Sequence, residues 1–238
     1  MIDTHCHILA GIDDGALNTD ISVLMAQMAT EDGITRIIAT PHIRNNYPTP
    51  QNIYEATQDL NHRLDQWGVP VSVIPGAEVS TMMDLDSMLT YTINHTSYIL
   101  IEFPPSHLPH NSEDIFFQLK IRGYRPILAH PERHPDIIRQ PKIVFDLHEA
   151  DVLVQITADS LVGRFGLAAK QCAEYLLKKN VVDIIASDAH STEDRRPLLS
   201  SGIKAAARII GKGKAFSLVT KNPLTVIQGG LFPRFSHE

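Results

Sequence analysis

The chain has 238 residues, 43% of them hydrophobic and 20% charged, and a formal net charge of -6 at pH 7. A negative charge repels nucleic acid, and the chain has neither an apolar run of membrane-spanning length nor the start of a secretory signal, so we expect no nucleic-acid partner, no membrane insertion and a cytoplasmic location. The two cysteines, Cys6 and Cys172, are too few for a disulfide framework.

Short apolar runs alternate with amphipathic segments along the chain. The apolar runs predict seven strands, over residues 1–7, 35–40, 71–77, 98–102, 125–129, 152–157 and 182–187. The amphipathic segments predict helices over residues 20–32, 51–67, 112–122, 142–149, 166–179 and 198–210, a short one near 84–89, and one or two within 215–228.

The strands are continuous apolar runs such as RIIAT, YILIE and DIIAS, which is typical of parallel sheets covered by helices. Strands that alternate with helices predict a single α/β domain over residues 1–238. A (β/α) barrel is the first interpretation, and a doubly wound sheet is the alternative.

Potential metal ligands stand at the end of nearly every predicted strand. In chain order they are His5, His7, His42, Glu78, Glu102, His130, Asp188 and His190. The carboxyl ends of parallel strands meet at one rim, so we expect these side chains to converge.

The spacing of His5 and His7 places both imidazoles on one face of a strand, where they can bind one metal ion. The alternative, two buried core histidines without partners, is costly. The loop Asp13-Asp14-Gly15 would add a carboxylate, although alone it would indicate a solvated turn. Nitrogen and oxygen ligands without a thiolate suit zinc, manganese or iron(II).

Eight stretches of the chain together resemble a known superfamily. They are MIDTHCHI, DDGA, IIATPH, PGAEV, YILIEFP, PILAHPER, QITADSL and IASDAH. They are similar to the PHP superfamily, named for polymerase and histidinol phosphatase, and within it to bacterial metal-dependent protein-tyrosine phosphatases of capsule and exopolysaccharide synthesis. This resemblance implies a distorted (β/α)7 barrel with a metal cluster at the C-terminal rim of the strands.

The resemblance also implies which residues hold three divalent ions. The first ion would be bound by His5, His7, Glu78 and Asp188, the second by Glu78, Glu102 and His130, and the third by Asp14, His42 and His190. Other members of the superfamily tend to have histidine in place of Asp14 and Glu102. The two acidic ligands favour manganese, with iron or zinc possible.

The catalytic set implied by the resemblance is Asp188, His190, Arg133 and Arg195. The two arginines would also bind the substrate phosphate, with Arg196 as the alternative to Arg195. A guanidinium suits this task because it forms bidentate hydrogen bonds.

The implied activity is hydrolysis of phosphotyrosine on a bacterial tyrosine kinase or its substrates. Three alternatives remain open: a small-molecule phosphatase such as histidinol phosphatase, an exonuclease or proofreading module, and a non-catalytic metal-stabilised regulatory protein. The acidic charge disfavours the nuclease, and the complete ligand set disfavours the non-catalytic protein. No pattern in the sequence predicts an oligomeric state.

Overall fold

A computed structural model of the chain describes residues 1–109 and 111–232. Within these ranges, eight strands alternate with eleven α-helices. The strands are β1 (Ile2–Cys6), β2 (Arg36–Ala39), β3 (Ser72–Pro75), β4 (Glu78–Ser80), β5 (Tyr98–Glu102), β6 (Arg125–Ala129), β7 (Leu153–Thr157) and β8 (Ile184–Ala186). The helices are α1 (Thr19–Glu31), α2 (Pro50–Gln66), α3 (Leu85–Met88), α4 (Ser112–Ile121), α5 (Pro135–Arg139), α6 (Lys142–Glu149), α7 (Ala158–Leu161), α8 (Gly166–Lys178), α9 (Ser200–Ile210), α10 (Lys212–Ser217) and α11 (Lys221–Ile227).

The strands of the described ranges form two parallel sheets. One has the order β1-β2-β3 and the other β4-β5-β6-β7-β8. Isolated parallel bridges between Cys6 and Ala189 and between His42 and Glu78 link the ends of the two sheets. The predicted α/β fold with parallel strands is therefore confirmed, while the strand hydrogen bonds define two sheets and not one closed barrel.

The predicted third strand, over residues 71–77, corresponds to β3, and a separate strand, β4, begins directly after it. A Cβ atom added to Gly76 would lie 2.7 Å from Cγ2 of Ile38, so glycine is needed where the chain passes β2. The chain then pairs with β5, beginning with Glu78 opposite Leu100. The prediction of seven strands was wrong for this reason, and Glu78 begins a strand instead of ending one.

The helices lie where the amphipathic pattern predicted them, with small shifts at their ends. Helix α1 begins at Thr19 because the side chain of Asn18 accepts a hydrogen bond from the backbone nitrogen of Ile21. Helices α5 and α7 were not predicted, since four or five residues are too few to show helical periodicity.

The strands form the core. Every residue of β1, β7 and β8 is buried, as expected for strands covered on both faces. Cys6 and Cys172 are buried and form no disulfide in the described structure. Over the same residues, no helix has both the length and the apolar character that crossing a membrane requires.

Two residues just after the ends of strands have a left-handed backbone conformation. His130, after β6, has a φ of 36°, and Asp188, two residues after β8, has a φ of 53°. Residues with a side chain seldom adopt this region of the backbone map. Both positions are predicted metal ligands, so the predicted site lies where these strands turn sharply.

Candidate metal centre

Three groups of histidines and carboxylates bring their ligand atoms within 4.8 Å of one another. The groups are His5, His7, Glu78 and Asp188; His7, Asp14, His42 and His190; and His42, Glu78 and Glu102. Because the groups share His7, His42 and Glu78, they form one continuous cluster. These groups contain every predicted ligand except His130. His130 lies next to them, with its Nε2 atom 2.6 Å from Oε1 of Glu78.

The first group has the four residues that the resemblance assigns to the first ion. His5 Nε2 lies 3.1 Å from Glu78 Oε2 and 3.3 Å from Asp188 Oδ1, and 3.2 Å from Nε2 of His7. All four side chains are buried.

Two buried oxygens of this group, Glu78 Oε2 and Asp188 Oδ1, have no hydrogen-bond partner in the described structure. Buried carboxylate oxygens are costly unless a donor or a cation compensates them. The residues present therefore fit a divalent ion between His5, His7 and these two oxygens.

His42 joins the other two groups. Its Nδ1 atom lies 3.1 Å from Glu78 Oε2 and 3.3 Å from Glu102 Oε1. Its Nε2 atom lies 3.7 Å from Oδ1 of Asp14, and that oxygen is 3.8 Å from Nε2 of His190. The group around Glu102 therefore contains His42, and His130 contacts the other oxygen of Glu78.

Asp13 and Gly15 fix the geometry around His7. Nδ1 of His7 lies 2.6 Å from Oδ2 of Asp13, and the Asp13 carboxylate also accepts hydrogen bonds from the backbone nitrogens of His42 and Gly15, each at 2.9 Å. A Cβ atom on Gly15 would lie 2.1 Å from the carbonyl oxygen of His7, so the loop can only approach this closely with glycine. A carboxylate on Nδ1 orients the ring and turns Nε2 towards the cluster. The sequence did not distinguish this task of Asp13 from that of Asp14.

Gln155, in the middle of β7, is a site residue that the sequence analysis missed. Its Nε2 atom lies 2.8 Å from Nδ1 of His5, and its Oε1 atom accepts a hydrogen bond from the hydroxyl of Thr4 at 2.6 Å. Rotating the amide by 180° would place Oε1 against Nδ1 of His5, which could then donate a proton and leave Nε2 free for a metal. The available signal was the polar residue inside the apolar run VLVQIT.

The two predicted phosphate-binding arginines lie at the edge of the cluster. Nη2 of Arg133 and Nη2 of Arg195 each lie 2.6 Å from Oδ2 of Asp188. Arg195, and not its neighbour Arg196, makes this contact within the described part of the chain. Both guanidinium groups also lie near the ring of Phe165, a residue that the sequence analysis did not consider.

The charges of the cluster determine its protonation. Burial raises the pKa values of Glu78 and Asp188, but the charge of His5 and the other cations near them outweigh burial and hold both pKa values well below the ordinary range. Burial, together with the charge of His7, lowers the pKa of His190 to about 3. The carboxylates are therefore ionised and His190 is neutral at pH 7, which are the forms that bind metal ions. Burial lowers the pKa values of His7 and His42, but the carboxylates beside them outweigh burial and raise both pKa values above the ordinary range.

A cavity of 210 Å³ opens onto the cluster. The predicted ligands and arginines that line it are His42, Glu78, Glu102, His130, Asp188, Arg133 and Arg195. The remainder of the wall includes Phe103, Pro105, Pro131 and Pro135. The lining of the cavity therefore combines charged and apolar residues.

Comparison with known proteins gives one family and several relatives. The model of the family described as capsular polysaccharide synthesis, CpsB/CapC, matches residues 1–228. The chain is 41% identical over 201 residues to the tyrosine-protein phosphatase YwqE of Bacillus subtilis (strain 168), a match that covers 82% of this chain and 79% of YwqE. It is 31% identical over 201 residues to the putative tyrosine-protein phosphatase CapC of Staphylococcus aureus, with the same coverage of both chains.

One solved structure has the same fold. It belongs to the crystal structures of YwqE from Bacillus subtilis and CpsB from Streptococcus pneumoniae, which are described as unique metal-dependent tyrosine phosphatases. It superposes with a TM-score of 0.92 at 36% sequence identity, and the match covers 98% of this chain and 96% of that one. The likeness in fold therefore extends over nearly the whole chain.

Proposed function

This chain belongs to the CpsB/CapC family of capsular polysaccharide synthesis, and we propose from that membership that it is a metal-dependent protein-tyrosine phosphatase that acts in capsule or exopolysaccharide synthesis. The observation that carries the proposal is the buried carboxylate pair, Glu78 and Asp188: both contact His5, and Asp188 also contacts two arginines. Such a site can hold metal ions and a phosphate side by side.

We propose three divalent ions, with manganese as the first candidate and iron or zinc as alternatives. The three overlapping ligand groups support this number, and their mixed nitrogen and oxygen donors, two of them Asp14 and Glu102, support the choice of metal. When bound, such ions lower the pKa of water and neutralise charge on phosphoryl oxygens. The nine predicted ligands, including His130, remain the proposed set.

We also propose that the two sheets together form a distorted barrel. The isolated bridges of Cys6 with Ala189 and of His42 with Glu78 support this arrangement, because each connects the end of one sheet to the other. The backbone nitrogen of Asp188 also donates to the carbonyl oxygen of His5 at 2.8 Å.

Different side chains of the site would bind the phosphate ester and position the groups that bind it. Arg133 and Arg195 would bind the non-bridging oxygens of the phosphate. Asp188 holds both guanidinium groups in place through one oxygen and presents the other to His5. A tyrosyl leaving group, with a pKa of about 10, departs with less protonation than an alkyl alcohol requires.

The apolar wall of the cavity supports an aromatic substrate. Phe103, Pro105 and Pro135 line the cavity beside the arginines, so a phenyl ring can pack there while its phosphate faces the cluster. We propose phosphotyrosine on a bacterial tyrosine kinase or its protein substrates as the target. The cytoplasmic location stays a prediction.

Phosphate release tests the proposed function. The purified chain is incubated with a phosphotyrosine peptide, a phosphoserine peptide and histidinol phosphate, each with manganese and with a chelator. We expect manganese-dependent release that favours phosphotyrosine. Preference for histidinol phosphate would instead assign the chain to small-molecule metabolism, and no release from any substrate would refute the phosphatase.

A further inference from the structure

We propose that Phe165 is a positioning residue that orders Arg133 and Arg195 for phosphate binding. The proposal rests on the phosphatase function proposed above, because it assigns these arginines to the phosphate. It adds an aromatic residue outside the metal ligands and outside the lining of the cavity.

The ring of Phe165 lies next to both guanidinium groups. The Cζ atom of Arg133 is 4.6 Å from the ring centroid, and the Cζ atom of Arg195 is 6.0 Å from it. Both distances lie within the range over which a cation is attracted to the face of an aromatic ring. One ring therefore interacts with the two cations that also share the carboxylate of Asp188.

The two arginines share one carboxylate oxygen, and the ring of Phe165 can offset the repulsion between their positive charges. Nη2 of Arg133 and Nη2 of Arg195 both lie 2.6 Å from Oδ2 of Asp188, so two positive charges converge on one atom. Like charges repel, and the other oxygen of Asp188 faces His5 and His7. The negative face of an aromatic ring attracts both cations without adding a formal charge that would repel phosphate.

The arginines keep donors available for a phosphate in this arrangement. A guanidinium carries five N–H donors, and the contact to Asp188 uses one nitrogen of each arginine. Phe165 therefore fixes the position of the arginines while leaving donors for an oxyanion.

The backbone around Phe165 explains why its ring stays in place. Phe165 lies between Gly163, with a φ of 86°, and Gly166, with a φ of 89°, directly before α8. The backbone nitrogen of Gly163 donates to the carbonyl of Ser160, and that of Gly166 donates to Gly163. The loop is thus closed by its own hydrogen bonds, and the ring is half-buried.

Loss of the ring should weaken phosphate binding more than it slows the chemical step. The arginines contact phosphate in the ground state and in the transition state alike, so their disorder mainly raises KM. We expect KM for the phosphotyrosine peptide, and Kd for inorganic phosphate, to rise about fivefold in Phe165→Leu. We expect kcat to change by less than about twofold and metal content to stay the same.

Two substitutions at Phe165 separate the aromatic face from simple packing. Phe165→Leu keeps an apolar side chain but removes the π face, whereas Phe165→Tyr keeps the ring. The matched control is Leu167→Ala. Leu167 is two residues after Phe165, in the first turn of α8, and is 69% exposed. Each variant, after manganese is added, is titrated with inorganic phosphate by calorimetry, and its kcat, KM, metal content and Tm are measured.

The expected result is weak phosphate binding in Phe165→Leu, with Phe165→Tyr and Leu167→Ala close to wild type. Equal phosphate affinity in Phe165→Leu and wild type would overturn the proposal, and so would an equal loss in the leucine and tyrosine variants. A fall in metal content would also overturn it, because Phe165 would then support the metal site.

The titration separates this inference from the proposed function. If the wild-type chain releases no phosphate from any substrate but binds inorganic phosphate, the phosphatase proposal fails. The phosphate affinities of the variants then still decide whether Phe165 orders the two arginines. If wild type does not bind phosphate, both proposals fail.

Discussion

Replacing Asp13 by asparagine tests how the loop after β1 supports the metal centre. The Asp13 carboxylate accepts hydrogen bonds from Nδ1 of His7 and from the backbone nitrogens of His42 and Gly15. An asparagine has one oxygen in place of two and must turn its NH₂ group towards one of these donors. At least one buried donor then loses its acceptor.

The size of the effect follows from the protonation of Asp13. Burial raises its pKa, but the contact with His7 and the backbone donors outweigh burial and lower it from 3.8 to about 2. A depressed carboxylate pKa stabilises the fold above the unfolded pKa, and this stabilisation is lost as pH falls from about 4 to about 2. At pH 7 it is fully present and corresponds to about 2 kcal/mol of unfolding free energy.

Metal affinity should fall as well. An acceptor on the outer nitrogen of a ligating histidine sets its tautomer and orientation, and its loss typically costs about 10-fold to 100-fold in metal affinity. We therefore expect Asp13→Asn to lose about 2 kcal/mol of stability without metal and to require about 10-fold to 100-fold more manganese for half-maximal activity.

Asp14→Asn is the matched control. The Asp14 carboxylate is half exposed, and its contacts with His42 and His190 are 3.7 and 3.8 Å long. We expect this variant to change the metal-free unfolding free energy by less than about 0.5 kcal/mol while still losing manganese affinity. Urea unfolding with a chelator and calorimetric manganese titration measure the two quantities. Equal stability of Asp13→Asn and wild type, or an equal loss in both variants, would refute this reasoning.

Three further predictions concern the cluster and its surroundings. We expect His42→Ala and Asp188→Ala to lose most phosphatase activity while circular dichroism still shows a folded chain; substantial activity in both would contradict the site assignment. Arg133→Ala should weaken inhibition by phosphate or vanadate more than it lowers metal content, and the reverse pattern would make Arg133 structural. Gln155→Leu should reduce manganese affinity about 10-fold, because His5 loses its polar partner, and an unchanged titration would contradict that contact.

The convergence of the ligands could be predicted from the sequence because it depends on a regular feature of parallel sheets. Polar residues at the carboxyl ends of successive strands share one rim, whatever their separation along the chain. His5 and His7 needed only the two-residue repeat of a strand. The resemblance supplied the grouping, and the structure places His42 beside Glu102 and His130 beside Glu78.

The features that could not be predicted depend on contacts between distant parts of the chain. His5 and Gln155 are 150 residues apart, and no local pattern connects them. The break between β3 and β4 arises from the close passage of Gly76 against Ile38 on a neighbouring strand. The different tasks of Asp13 and Asp14 follow from which carboxylate points inward, and two adjacent identical residues carry no sequence signal for that.

The left-handed backbones of His130 and Asp188 have a consequence for protein engineering. Holding a residue with a side chain in this region costs about 1–2 kcal/mol, and glycine avoids that cost. Glycine at either position would relieve the backbone, but it would also remove a proposed ligand and its contacts, which are to Glu78 for His130 and to two arginines for Asp188. Stabilisation campaigns on this fold should hold both positions constant.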